Sequence, residues 1–100
     1  MEDMYYIISL CHTHKNDSSI NLWRPSNAGY CYSQGCAGKY DSIQEGYHDS
    51  EGNMPVRCIE LDKLFIEMEL DGEIKKVIPN HGLVHRALGV KMTKKGLKRI

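Results

Sequence analysis

Residues 65–78 read FIEMELDGEIKKVI, a stretch with both helical and strand periodicity around a central Asp-Gly pair. Leu61, Leu64, Phe65 and Met68 fit a helical stripe, whereas Ile66, Met68 and Leu70 alternate with Glu67 and Glu69 as in a strand. The Asp71-Gly72 pair separates the two readings, because Asp-Gly between alternating runs is a strong hairpin signal. The second half is therefore a hairpin of 65–70 with 73–78, preceded by a short helical turn at 60–64. A chain that commits to a local hairpin here builds an antiparallel sheet.

Working outward, Met4 to Cys11 is rich in β-formers and reads as a buried strand. Ile20-Asn-Leu-Trp-Arg24 alternates with period two and pairs with it across the polar loop 12–19. Pro25-Ser-Asn-Ala-Gly29 is turn chemistry, followed by a strand at Tyr30–Ser33 and a second glycine turn through Gly35 and Gly38. Ser42 with Glu45 forms a capping box for a short helix over 43–48, and 48–53 reads as a surface loop. A strand is expected at 55–59, and a helix over 81–88 with Asn80 as its cap and Gly89 at its end. The expected fold class is α+β: one small domain over 1–90, with an antiparallel sheet of about five strands and two or three short helices. Residues 91–100 read as a basic C-terminal tail, with room for one more helical turn.

The composition is that of an ordinary globular domain, 41% hydrophobic and 26% charged, with no net charge. The neutral total conceals an asymmetry. Residues 41–73 carry ten acids against Arg57 and Lys63, whereas 74–100 carry eight bases and no acid. Such halves attract each other within one molecule or between two copies, so a homodimer is one expectation. The neutral sum argues against a dedicated nucleic-acid binder. Met1-Glu2-Asp3-Met4 has acid where a signal peptide has base, and the apolar run after it is too short for a span. A cytoplasmic location without membrane contact is expected, where Cys11, Cys31, Cys36 and Cys58 stay reduced.

Cys11-His-Thr-His14 and Cys31-x4-Cys36 could supply a zinc tetrahedron, yet no C-x2-C knuckle is present. His81 and His85 have helical ligand spacing but lack the glutamate of the zincin motif. Cys31 or Cys36 as a nucleophile would need an electropositive setting beside a base, and no local motif selects either. No phosphate-binding glycine motif occurs. No metal, no cofactor and no catalytic residue is assigned. Trp23, Arg24, Asn27, Tyr30 and Tyr40 are the candidate binding residues: a flat ring, a cationic fork, an amide and two phenols around one turn. Against this stands the plainer reading that a Trp in the middle of a strand is usually core and that Arg24 pairs with a local acid.

The pattern Trp23-Arg-Pro-x-Asn-Ala-Gly-Tyr30, followed by Ala37-Gly-x-Tyr40, resembles a family of small, mostly uncharacterised proteins encoded by bacteriophages and prophages. Tyr5-Tyr-Ile-Ile8, Val77-Ile-Pro-Asn80 and Ala87-Leu-Gly-Val-Lys-Met-Thr93 extend the likeness. The resemblance implies a phage or prophage accessory protein that acts by non-catalytic binding, against a host defence protein or by sequestering a signal nucleotide. The alternative from the residues alone is a small zinc-stabilised or nucleic-acid-binding regulator.

Overall fold

A computed structural model describes residues 4–100, so the acidic Glu2-Asp3 segment lies outside the described residues. Strand β1 (Tyr5–Ser9) is the centre of a four-stranded antiparallel sheet with β2 (Leu22–Trp23), β3 (Tyr30–Cys31) and β4 (Asn53–Arg57), in the order β3-β2-β1-β4. Tyr6 to Leu10 are fully buried, which is why the run is apolar on both faces apart from Ser9 rather than alternating. Both faces of this sheet are covered.

The first face carries the main core. Tyr6, Ile8 and Leu10 pack there with Ile20, Leu22, Leu61, Ile78, Val84, Val90 and Leu97. Register assigns the second face: Ile8 lies opposite Leu22, so Ile7, Ser9 and Trp23 point the other way. Asn53 joins them as the partner of Ser9, and Tyr30 as the partner of Trp23. Residues from four strands therefore meet on the far side of the sheet.

Pro55 lies in the middle of β4, a sheet edge. The Leu10 and Cys58 amides bond to Gly52 and Met4 carbonyls, so by alternation Met54 and Val56 face β1 and the Pro55 nitrogen faces outward. A residue without an N–H at that point blunts the edge at no cost to the ladder.

Helix α1 (Cys58–Leu61) and a 3₁₀ turn (Asp62–Leu64) lead into the hairpin of β5 (Ile66–Leu70) and β6 (Glu73–Val77). Asp71 and Gly72 both have positive φ, 54° and 81°, as a two-residue hairpin turn requires. The outer edge of β6 is held by the loop after β3: Gln34 N–H donates to the Lys76 carbonyl at 2.8 Å, and Lys75 Nζ lies 5.1 Å over the Tyr32 ring. The Tyr6 hydroxyl donates to Asp62 at 2.6 Å, and burial together with that carboxylate pushes its pKa up.

Four expectations are corrected. The helix over 43–48 is absent: Gly46 takes φ 85°, a left-handed break, and His48 is drawn inward while Tyr47 stays half exposed. Helix α2 (Gly82–Leu88) is capped at His81 rather than Asn80, because the Asn80 amide is committed to loop carbonyls. The expected basic tail is a hairpin of β7 (Val90–Thr93) and β8 (Gly96–Arg99), recruited by burial of Val90 and Leu97 in the core. Cys31 and Cys36 form a disulfide, since the turn at Ser33 accepts the Cys36 and Ala37 amides and folds the chain back. Cys11 is exposed and Cys58 is buried. The antiparallel α+β class stands, its strands divided between one four-stranded sheet and two two-stranded ribbons.

Candidate functional site: the aromatic corner

The five candidate residues are brought together, but in unequal roles. Strand β2 ends at Trp23, and the chain turns through a 3₁₀ segment at Pro25–Asn27 in which Ser26 and Asn27 both take φ 58°. Arg24 N–H donates to the Gly29 carbonyl at 2.7 Å and closes the corner. Tyr30 then lies directly across from Trp23, its ring edge-on with centroids 6.0 Å apart.

The second glycine turn packs beneath the first. Gly38 N–H donates to the Trp23 carbonyl, and a Cβ at Gly38 would lie 2.6 Å from the Pro25 nitrogen. Only glycine permits two backbones to approach this closely. The Tyr40 hydroxyl, two residues on, donates to the Arg24 carbonyl and accepts from Asn27 N–H. The joint presence of Trp-Arg-Pro and Ala-Gly-x-Tyr is thus one structural unit, with one turn seated on the other.

Trp23 is 5% exposed and stands outside the main core. It is the centre of a second aromatic layer, with Tyr47 at 5.2 Å and His48 at 5.3 Å, both edge-on. Its indole N–H donates to Asn53 Oδ1 at 3.0 Å, and the Asn53 amide donates in turn to the Tyr47 carbonyl. His48 is buried with both ring nitrogens engaged. Gln44 N–H donates to His48 Nδ1, so the proton resides on Nε2, which donates to Asn27 Oδ1 at 2.9 Å. Asn27 is therefore a structural tie rather than a free amide.

Tyr30 and Arg24 remain available at the surface. Tyr30 is 40% exposed and stacks at 4.2 Å on His12. Arg24 uses Nε on the Tyr30 carbonyl, which leaves its terminal nitrogens outside any protein hydrogen bond among the described residues. Tyr47, 47% exposed, completes the rim. Trp23, Asn27, Gly29, Tyr30 and Tyr47 line a shallow depression of about 120 Å³.

Sequence reading missed Tyr47, His48 and Asn53, which lay in a segment read first as helix and then as surface loop. The available signal was Gly46, which interrupts that helix, followed by two aromatic residues. Among the described residues, no group of three or more His, Cys, Asp and Glu side chains is placed to hold a metal ion. Cys31 and Cys36, half of the considered zinc tetrahedron, are bonded to each other. Burial raises the Cys58 thiol pKa, opposite to the shift an attacking thiolate needs. No helix among the described residues is long and apolar enough to cross a membrane.

Comparison with known proteins finds no matching family model, no matching curated protein and no matching solved structure.

Proposed function

We propose that this is a non-catalytic binding protein whose aromatic corner docks on a protein partner. The setting is that of a phage or prophage accessory protein acting on a host defence factor. The observation that carries this reading is the rim itself: Tyr30 and Tyr47, each about half exposed, held edge-on to a buried Trp23 beside the free Arg24 fork. Tyrosine and arginine on a pre-organised support are the residues that dominate protein interfaces, because they bury much area while losing little conformational freedom. The depression between them, about 120 Å³, is below the ~300 Å³ of small-molecule sites. It suits one partner side chain and favours a protein inhibitor over a nucleotide sponge at this corner.

The test uses Tyr47→Ala and Arg24→Ala, which truncate the rim and leave Trp23 in place. In a bacterial host carrying a defence system that the wild-type protein suppresses, both variants should lose suppression while remaining folded, Arg24→Ala at the wild-type urea midpoint and Tyr47→Ala about 1 kcal/mol below it for the lost ring contact with Trp23. A photo-crosslinker at position 47 should label one host protein, and Arg24→Ala should abolish the label. Folded variants that suppress fully, or a crosslink unaffected by Arg24→Ala, would overturn the reading.

A further inference from the structure

A second concavity, of about 560 Å³, opens where helix α2, the β7–β8 turn and the loop after β1 converge. Lys15, Asn80, His85, Met92, Thr93 and Lys94 line it, and none of them belongs to the aromatic corner. Two lysines thus line one cleft, with no acidic residue in its lining. The nearby Asp17 turns its carboxylate to the His14 N–H at 2.8 Å.

The imidazole in this cleft is held in a single orientation. Asn80 donates both of its amide hydrogens, at 2.9 Å each, to the carbonyls of His14 and Asp17. Its Oδ1 can only accept, so the 2.6 Å contact with His85 Nε2 is an N–H···O bond with the proton on Nε2. His85 Nδ1 has no hydrogen-bond partner among the described residues. It lies on a helix packed against the β7–β8 ribbon, and Met92 supplies an apolar wall beside it. Thr93 Oγ1 is spent locally, donating to the Gly96 carbonyl and accepting from Lys95 N–H.

We propose that this cleft binds a small phosphorylated ligand, with Lys15 and Lys94 neutralising the phosphoryl oxygens, His85 Nδ1 contacting one of them, and Met92 covering the ligand's apolar part. Lysine binds phosphate as a point charge, and a protonated imidazole adds a directional charge-assisted hydrogen bond. The volume falls within the range of small-molecule sites, roughly 300–1,000 Å³. In the free protein, burial first and the neighbouring His81 second lower the His85 pKa, which favours the uncharged ring. An arriving anion reverses the balance, and the ring takes up a proton on Nδ1. His81 on the same helix, Lys15 and Asp17 from the loop, and Lys94 from the turn are the charged or titratable groups around it.

The test is a titration of the full chain with inorganic phosphate and with phenyl phosphate, followed through the His85 Cε1–H resonance and by calorimetry. A saturable His85 shift is expected, with phenyl phosphate bound more tightly and with net proton uptake that grows as pH falls from 8 towards 6. Lys15→Gln with Lys94→Gln should weaken binding at least about tenfold, the loss of two close charge interactions. His85→Gln retains an N–H for Asn80, and should bind with no proton uptake beyond that of the ligand itself. A shift that never saturates, or one that persists in the double lysine variant, overturns the proposal. So does a DNA duplex that binds while neither phosphate moves His85, since the ligand would then be nucleic acid on the lysine ribbon.

Discussion

The aromatic corner and the β7–β8 ribbon use polar residues in opposite ways. At the corner, Trp23, Asn27, Tyr40, His48 and Asn53 bond to one another and to the backbone of Arg24, Gln44 and Tyr47. Among the described residues, no buried side-chain nitrogen or oxygen lacks a partner. On the ribbon, Lys91 lies directly across from Lys98, and Lys94 and Lys95 form the turn. Its one ion pair among the described residues is Arg99 with Asp49, at 2.5 Å. A low-dielectric site must satisfy its polar groups internally, whereas solvent screens like charges on a two-stranded ribbon. Groups already satisfied within the fold cannot also serve a partner. Function is therefore to be sought on the rim of the corner and on the lysine-bearing surface, not in the residues that hold the corner together.

Substitution at Trp23 should cost the most. Trp23→Ala should cost about 4 kcal/mol in urea unfolding, because a buried ring and the Asn53 hydrogen bond are lost together. A loss under about 1 kcal/mol would mean that the second layer is not a core. Gly38→Ala forces a Cβ against the Arg24–Pro25 backbone and should cost about 3 kcal/mol by the same measurement. Reducing the Cys31–Cys36 bond, or replacing both cysteines by serine, should remove about 2 kcal/mol through the short loop that it closes. Cys11 should react with a thiol reagent at once in the native protein, whereas Cys58 should wait for unfolding. The smallest effect belongs to the ribbon: Lys98→Glu replaces a like-charged cross-strand pair by an opposite one and should raise stability by about 0.5 kcal/mol. High salt should erase that gain.

Much of the fold was legible because its signals are local. The Asp71-Gly72 turn, the apolar run of β1 and the Gly89 stop each act within a few residues, and each formed close to where the sequence placed it. The site was half legible. Trp23, Arg24, Asn27, Tyr30 and Tyr40 do converge, because one turn chemistry carries four of them and a glycine contact brings the fifth. Their partners Tyr47, His48 and Asn53 come from a segment whose capping box and polar loop gave the opposite reading. The cost of breaking a weak helical preference there is small beside the gain from burying the His48 ring and packing Tyr47 edge-on against Trp23.

By itself, the sequence determined the antiparallel α+β class, the hairpin at 71–72 and the corner at 24–29, since period, turn residues and caps are properties of neighbours along the chain. Tertiary structure alone decided which face of the sheet each ring occupies. It also decided that Cys31 meets Cys36, that the basic end closes on the core as a hairpin, and that Lys15 shares a cleft with His85 and Lys94. The ring faces, the closing hairpin and the shared cleft depend on register and on contacts between residues far apart in sequence, which no local pattern encodes; the disulfide spans only five residues and depends on how the turn at Ser33 folds the chain back.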